Sequence, residues 1–122
     1  MTKRILVVED QEDNRQILRD LLASADYQMD EAENGQEALD AVVRQRPDLI
    51  LMDIQLPIMD GYEATRRIKA MPEYKNIPII VVTSYALSGD EGQAREAGCD
   101  AYVTKPYSPR ALLAKIREYM PK

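Results

Sequence analysis

The sequence predicts an α/β domain with a parallel sheet, in which five strands alternate with five helices through right-handed crossovers. Ile5-Leu6-Val7-Val8, Leu49-Ile50-Leu51-Met52 and Ile79-Ile80-Val81-Val82 are short unbroken apolar runs. Strands covered on both faces read this way. Between the runs, apolar residues recur at helical spacing. No linker, low-complexity stretch or internal repeat interrupts the alternation.

In chain order, strand Ile5 to Val8 precedes a helix whose apolar stripe is Ile17, Leu18, Leu21, Leu22 and Ala25. Tyr27 to Ala32 is a weaker strand, expected nearer an edge. The second helix carries Ala38, Leu39, Val42 and Val43, with Asn34 and Glu37 spaced as a capping pair. Strand Leu49 to Met52 leads to a helix over Tyr62 to Met71, capped by Asp60 with Glu63. Strand Ile79 to Val82 leads to a helix over Gly89 to Ala97, with Ser88 and Glu91 as its capping pair and Gly98 at its end. Ala101 to Thr104 is the second weak strand. Ser108-Pro109 then opens a last helix with the stripe Leu112, Leu113, Ile116 and Met120.

The chain has 122 residues, which suits one domain over 1–122 with no output domain. It has no His, Trp or Phe, and all seven aromatics are Tyr, so the core must be mostly aliphatic. Lacking His, it has no Ser-His-Asp or Cys-His arrangement, no imidazole ligand for zinc, and no phosphohistidine of its own. A single cysteine, Cys99, forbids an internal disulfide, and no cation adjoins it in sequence, so it reads as a packing residue rather than a redox sensor. Sixteen Lys plus Arg against 21 Asp plus Glu give −5, which argues against nonspecific nucleic-acid binding. The apolar run behind the N-terminus is too short for a signal peptide, and no later segment approaches a membrane span. These features point to a cytoplasmic protein, with no nucleic acid and no membrane as partner.

In open parallel sheets, ligands sit beyond the carboxyl ends of the strands. Glu9 and Asp10 follow Val8, Asp53 follows Met52, Thr83 and Ser84 follow Val82, and Lys105-Pro106 follows the last strand. Taken singly, each has an ordinary explanation as a cap, a solvated turn residue or a snorkelling lysine. Their coincidence at successive strand ends has no such explanation. Three carboxylates together call for a cation, and an all-oxygen set suits Mg²⁺. Lys105 and Thr83 suit phosphoryl oxygens, so the set reads as a site of metal-assisted phosphoryl transfer with a carboxylate nucleophile available.

These residues resemble the receiver domain of two-component response regulators, a CheY-like, flavodoxin-like fold. The matching motifs are Ile5-Leu6-Val7-Val8-Glu9-Asp10, Asp48 to Asp53 running on to Leu56-Pro57 and Met59-Asp60-Gly61, Pro78 to Ser84, and Lys105-Pro106. The resemblance spans roughly Lys3 to Met120. It implies a doubly wound (βα)5 sheet of order 2-1-3-4-5, which sets Glu9 and Asp10 beside Asp53 at the switch point. It implies that Asp53 is the phosphoacceptor and that Glu9, Asp10, Asp53 and the backbone carbonyl of Gln55 hold Mg²⁺. Thr83 and Lys105 would bind the phosphoryl group, with the bond to Pro106 cis.

The resemblance further implies a switch in which Thr83 moves and Tyr102 fills the vacated space, altering an output surface over Gly89 to Met120. Gln55 and Tyr85 stand where the family tunes phosphoryl lifetime, and the bulk of Tyr85 suggests slow loss of phosphate. The stretches Tyr85 to Glu91 and Ala97 to Tyr102 resemble stand-alone DivK-type regulators and the receivers of hybrid kinases. Implied partners are a sensor histidine kinase or histidine phosphotransferase and a downstream protein effector, with the chain a monomer or weak dimer and not a turnover enzyme. A haloacid-dehalogenase-type phosphatase would want an acid at Gln55 and a cap domain, and a flavodoxin-like FMN carrier would not place Glu9 to Asp13 in its phosphate loop.

Overall fold

In the computed structural model, which describes residues 3–83 and 90–120, the apolar runs form the centre of one parallel sheet. The elements are β1 (Arg4–Val8), α1 (Glu12–Ser24), β2 (Gln28–Ala32), α2 (Gly35–Arg44), β3 (Leu49–Asp53), α3 (Gly61–Ala70), β4 (Ile79–Thr83), α4 (Asp90–Ala97), β5 (Ala101–Thr104) and α5 (Pro109–Tyr119). The sheet order is β2-β1-β3-β4-β5, with every neighbouring pair parallel. The two weakly apolar strands lie at the edges and the three unbroken runs at the centre. β3 and β4 are buried at every position.

Alternation along the strands sends side chains to two opposite layers. Ile5, Val7, Leu49, Leu51, Ile80 and Val82 pack on Leu18 and Leu22 of α1 and Leu112 and Ile116 of α5. Leu6, Val8, Ile50, Met52 and Ile79 pack on Ala38, Ala41 and Val42 of α2 and Ala64 and Ile68 of α3. The core is aliphatic, with Tyr27 and Tyr62 the buried aromatics among the described residues.

The apolar stripes are narrower than the spacing suggests. Ile17 is 55% exposed while Leu18 is 6%, and Val43 is 61% exposed while Val42 is 0%. Adjacent helix residues point about 100° apart, so a sheet covers one of each pair. Ala25 and Met120 fall just beyond their helices but stay buried.

Asn34 accepts from the Glu37 N–H at 2.8 Å, Asp60 from the Glu63 N–H at 2.9 Å, and Ser108 from the Ala111 N–H at 2.9 Å. The Glu37 carboxylate reaches the N–H of Glu33 rather than that of Asn34, so the box is offset by one residue. Gly98, at φ 100°, ends α4 in the conformation that glycine adopts most cheaply. The expected Ser88–Glu91 pair lies outside the described residues. No helix among them is long and apolar enough to cross a membrane.

Candidate functional site

Because β1 lies between β2 and β3, the turn after β1 opens beside the end of β3. Glu9 leaves β1 with its N–H donating to the Ala32 carbonyl at 3.0 Å, and the residue is 3% exposed. Asp53 ends β3 at 8% exposure. Glu9, Asp10 and Asp53 each present a carboxylate oxygen, all within 4.8 Å of one another, a cluster able to hold a metal ion.

Lys105 crosses to this group from the far side of the sheet. Its Nζ donates to Asp53 Oδ2 at 3.0 Å and to Glu9 Oε1 at 3.2 Å. Its own N–H donates to the Thr83 carbonyl at 2.7 Å, and the Lys105–Pro106 bond is cis. Burial acts to lower the Lys105 ammonium, but the contacts with Asp53 and then Glu9 outweigh it and hold the group above the ordinary lysine range. One ammonium against three carboxylates leaves the cluster with excess negative charge.

Backbone N–H groups hold the second carboxylate oxygens of Asp53 and Glu9. The Gln55 N–H donates to Asp53 Oδ1 at 3.1 Å, and the Gln11 N–H to Glu9 Oε2 at 3.1 Å. Gln55 itself is exposed. Thr83 ends β4 completely buried, with its partner Thr104 on β5. Tyr102 pairs with Val81 and packs half-buried against Ile54, Tyr62, Ala94 and Ala97. The structure thus gathers Glu9, Asp10, Asp53, Lys105 and the Gln55 amide into direct contact range, with Thr83 on the same sheet edge and Tyr102 one strand further out. Tyr85 lies outside the described residues.

Sequence reading missed three supporting residues. Asn14 Nδ2 donates to Glu9 Oε1 at 3.3 Å from the first turn of α1. Arg15, 8% exposed, donates to the Glu9 carbonyl at 2.8 Å and reaches Glu12 at 2.6 Å and Glu31 at 3.1 Å, tying the turn to β2. Gly61 seats α3 directly on the Asp53 peptide, since an added Cβ would lie 2.1 Å from the Asp53 carbonyl oxygen. The Met59-Asp60-Gly61 spacing was the visible signal for Gly61. Asn14 and Arg15 look like any polar helix residues until the turn is folded.

A doubly wound α/β sheet with clustered acids and a lysine at its switch-point edge defines a class of domain with an anion- and cation-handling site there. The model of the response regulator receiver domain family matches residues 5–117, and the chain belongs to that family of two-component phosphoacceptors. It is 44% identical over 120 residues to the polar-differentiation response regulator DivK of Brucella anthropi, covering 98% of each chain, and 43% identical to that of Brucella ovis over the same share. Among solved structures, a response regulator from Chloroflexus aurantiacus matches with a TM-score of 0.95 at 28% identity, over 100% of both chains. The receiver domain of a Pseudomonas aeruginosa sensor histidine kinase, with a magnesium ion coordinated in its active-site cleft, matches with a TM-score of 0.92 at 35% identity, again over 100% of both chains.

Proposed function

We propose that Asp53 is the residue on which this receiver takes up phosphate, from a phosphohistidine carried by a sensor histidine kinase or histidine phosphotransferase. The observation that carries this is the buried Asp53 carboxylate, held between Lys105 and the Gln55 amide inside the acid cluster. An Asp53 oxygen attacks phosphorus, the bond to the donor nitrogen breaks, and that nitrogen keeps the electron pair. Lys105 pairs with the transferred phosphoryl oxygens, and Thr83 donates its hydroxyl to another. Glu9, Asp10 and Asp53, with the Gln55 carbonyl, are the proposed holders of Mg²⁺. Their hard oxygen donors and uncompensated charge fit that ion, as does the magnesium in the related Pseudomonas receiver. Bound there, Mg²⁺ neutralises charge developing on the phosphoryl group.

The chain acts as a stoichiometric cytoplasmic acceptor rather than a turnover enzyme, and its aspartyl phosphate is lost by its own self-catalysed hydrolysis. Output runs through α4, β5 and α5, where Tyr102 responds to Thr83 and a protein effector binds. A hollow of about 230 Å³ lined by Arg95, Tyr102, Lys115 and Tyr119 on that face supports this placement. Gln55 and Tyr85 are the residues proposed to set how long the phosphate lasts. Incubation with acetyl phosphate and Mg²⁺ is expected to add one phosphate to the wild-type mass and none to Asp53→Asn. Equal labelling of the two proteins would falsify the assignment.

A further inference from the structure

Beside the acid cluster, between α1 and the start of α5, lies a cavity of about 390 Å³ that shares Glu9, Asp53 and Lys105 with the site. The rest of its wall is almost wholly apolar. Val7, Leu51 and Val82 form the floor, Ile17 and Leu18 one side, and Tyr107 part of the other. Such a volume is at the small end of small-molecule pockets, roughly 300 to 1,000 Å³. Phosphoryl transfer from a phosphohistidine needs Asp53 and Lys105 but gives no reason for an apolar chamber beside them.

We propose that this cavity receives the hydrocarbon part of a small acyl phosphate, making the receiver selective for donors with acyl groups longer than acetyl. The inference rests on Asp53 being the phosphoacceptor. The charged end of the cavity is the phosphoacceptor site itself and its far end is aliphatic, so a donor that delivers phosphate to Asp53 and fills the cavity joins a phosphoryl group to a hydrocarbon. An acyl phosphate is such a donor. In the reaction an Asp53 oxygen attacks phosphorus, the bond from phosphorus to the acyl oxygen breaks, and a free carboxylate leaves with the electron pair. No proton or redox partner is required. The departing carboxylate forms beside the Lys105 ammonium, and its chain remains against Ile17 and Leu18. Tyr107, half-buried, brings a phenol to the same wall.

The test compares acetyl, propionyl and butyryl phosphate, whose leaving carboxylates are almost equally basic, with phosphoramidate, which has no acyl group. Each is used on the full chain with Mg²⁺, and the second-order rate constant for adding phosphate is read by intact mass. A buried methylene is worth a factor of about 4, so butyryl phosphate is expected to exceed acetyl phosphate by about 4- to 15-fold. Ile17→Ser, an uncharged change in the cavity wall, is expected to bring the butyryl phosphate rate down to that of acetyl phosphate. In Asp53→Asn, which cannot be phosphorylated, butyryl phosphate is expected to shift the methyl resonances of Ile17, Leu18 and Leu51. Equal rates for the three acyl phosphates, beside normal labelling by acetyl phosphate, overturn the cavity inference alone. No labelling by any donor overturns the Asp53 assignment and this inference with it.

Discussion

Lys105 bridges two buried acids that would otherwise face each other, and its ammonium stands where a divalent cation is also attracted. Lys105→Ala is therefore expected to lower stability by about 1–3 kcal/mol without divalent ions and to bind Mg²⁺ several-fold more tightly than wild type. Urea titrations with and without Mg²⁺, together with calorimetric Mg²⁺ titration, check both signs. Cys99 behaves oppositely to a reactive thiol. Burial, and then the Asp100 charge, push its pKa up from 9.0 to about 11. Iodoacetamide labelling of the folded chain is expected to stay slow at pH 8.5 and to accelerate only towards pH 11. The unfolded thiol ionises first, so this group's contribution to stability is intact below pH 9.0 and declines as pH rises to about 11. The packing role of Cys99 was legible from its neighbours in the chain. The depth of Glu9 and the Asn14 contact were not, because both arise from the fold of the turn after β1.

At the scale of elements, the junction of β3 with α3 sets where the Asp53 carboxylate stands. Gly61 abuts the Asp53 carbonyl, and its N–H donates to the Ile54 carbonyl at 3.0 Å. Gly61→Ala would force a Cβ within 2.1 Å of that oxygen, so the end of β3 must move. A loss of about 1–3 kcal/mol is expected, with acetyl phosphate labelling slowed more than tenfold. Melting curves and labelling rates on one protein sample separate the two effects. The same junction holds Ile58 at φ 70° and 84% exposed, a conformation rarely adopted by β-branched residues. The strands themselves were legible, since continuous apolar runs of this length have few alternatives between helices. The helix faces were less so, because spacing gives the stripe and the neighbouring sheet decides its width, as Ile17 and Val43 show.

For the whole molecule, the excess of acids at one sheet edge makes stability depend on divalent cations. At ten times its dissociation constant, a cation bound only by the folded chain adds about 1.4 kcal/mol. For a domain of this size that raises the melting temperature by roughly 5 °C. Mg²⁺ is expected to produce that shift in wild type, Na⁺ at equal ionic strength much less, and Asp10→Asn a clearly smaller Mg²⁺ response. Scanning fluorimetry across a Mg²⁺ series reads all three. The order of apolar runs, helix signals and strand-end acids was enough to establish the parallel α/β plan and to single out Glu9, Asp10, Asp53, Thr83 and Lys105. Periodicity and cap chemistry are local properties, carried in a few adjacent residues. Chain folding was needed to bring Lys105 across 52 positions to Asp53, to seat Gly61 on the Asp53 peptide, and to leave an apolar cavity beside charged groups. Distances between residues far apart in the chain depend on strand order, register and packing together, and no local pattern contains them.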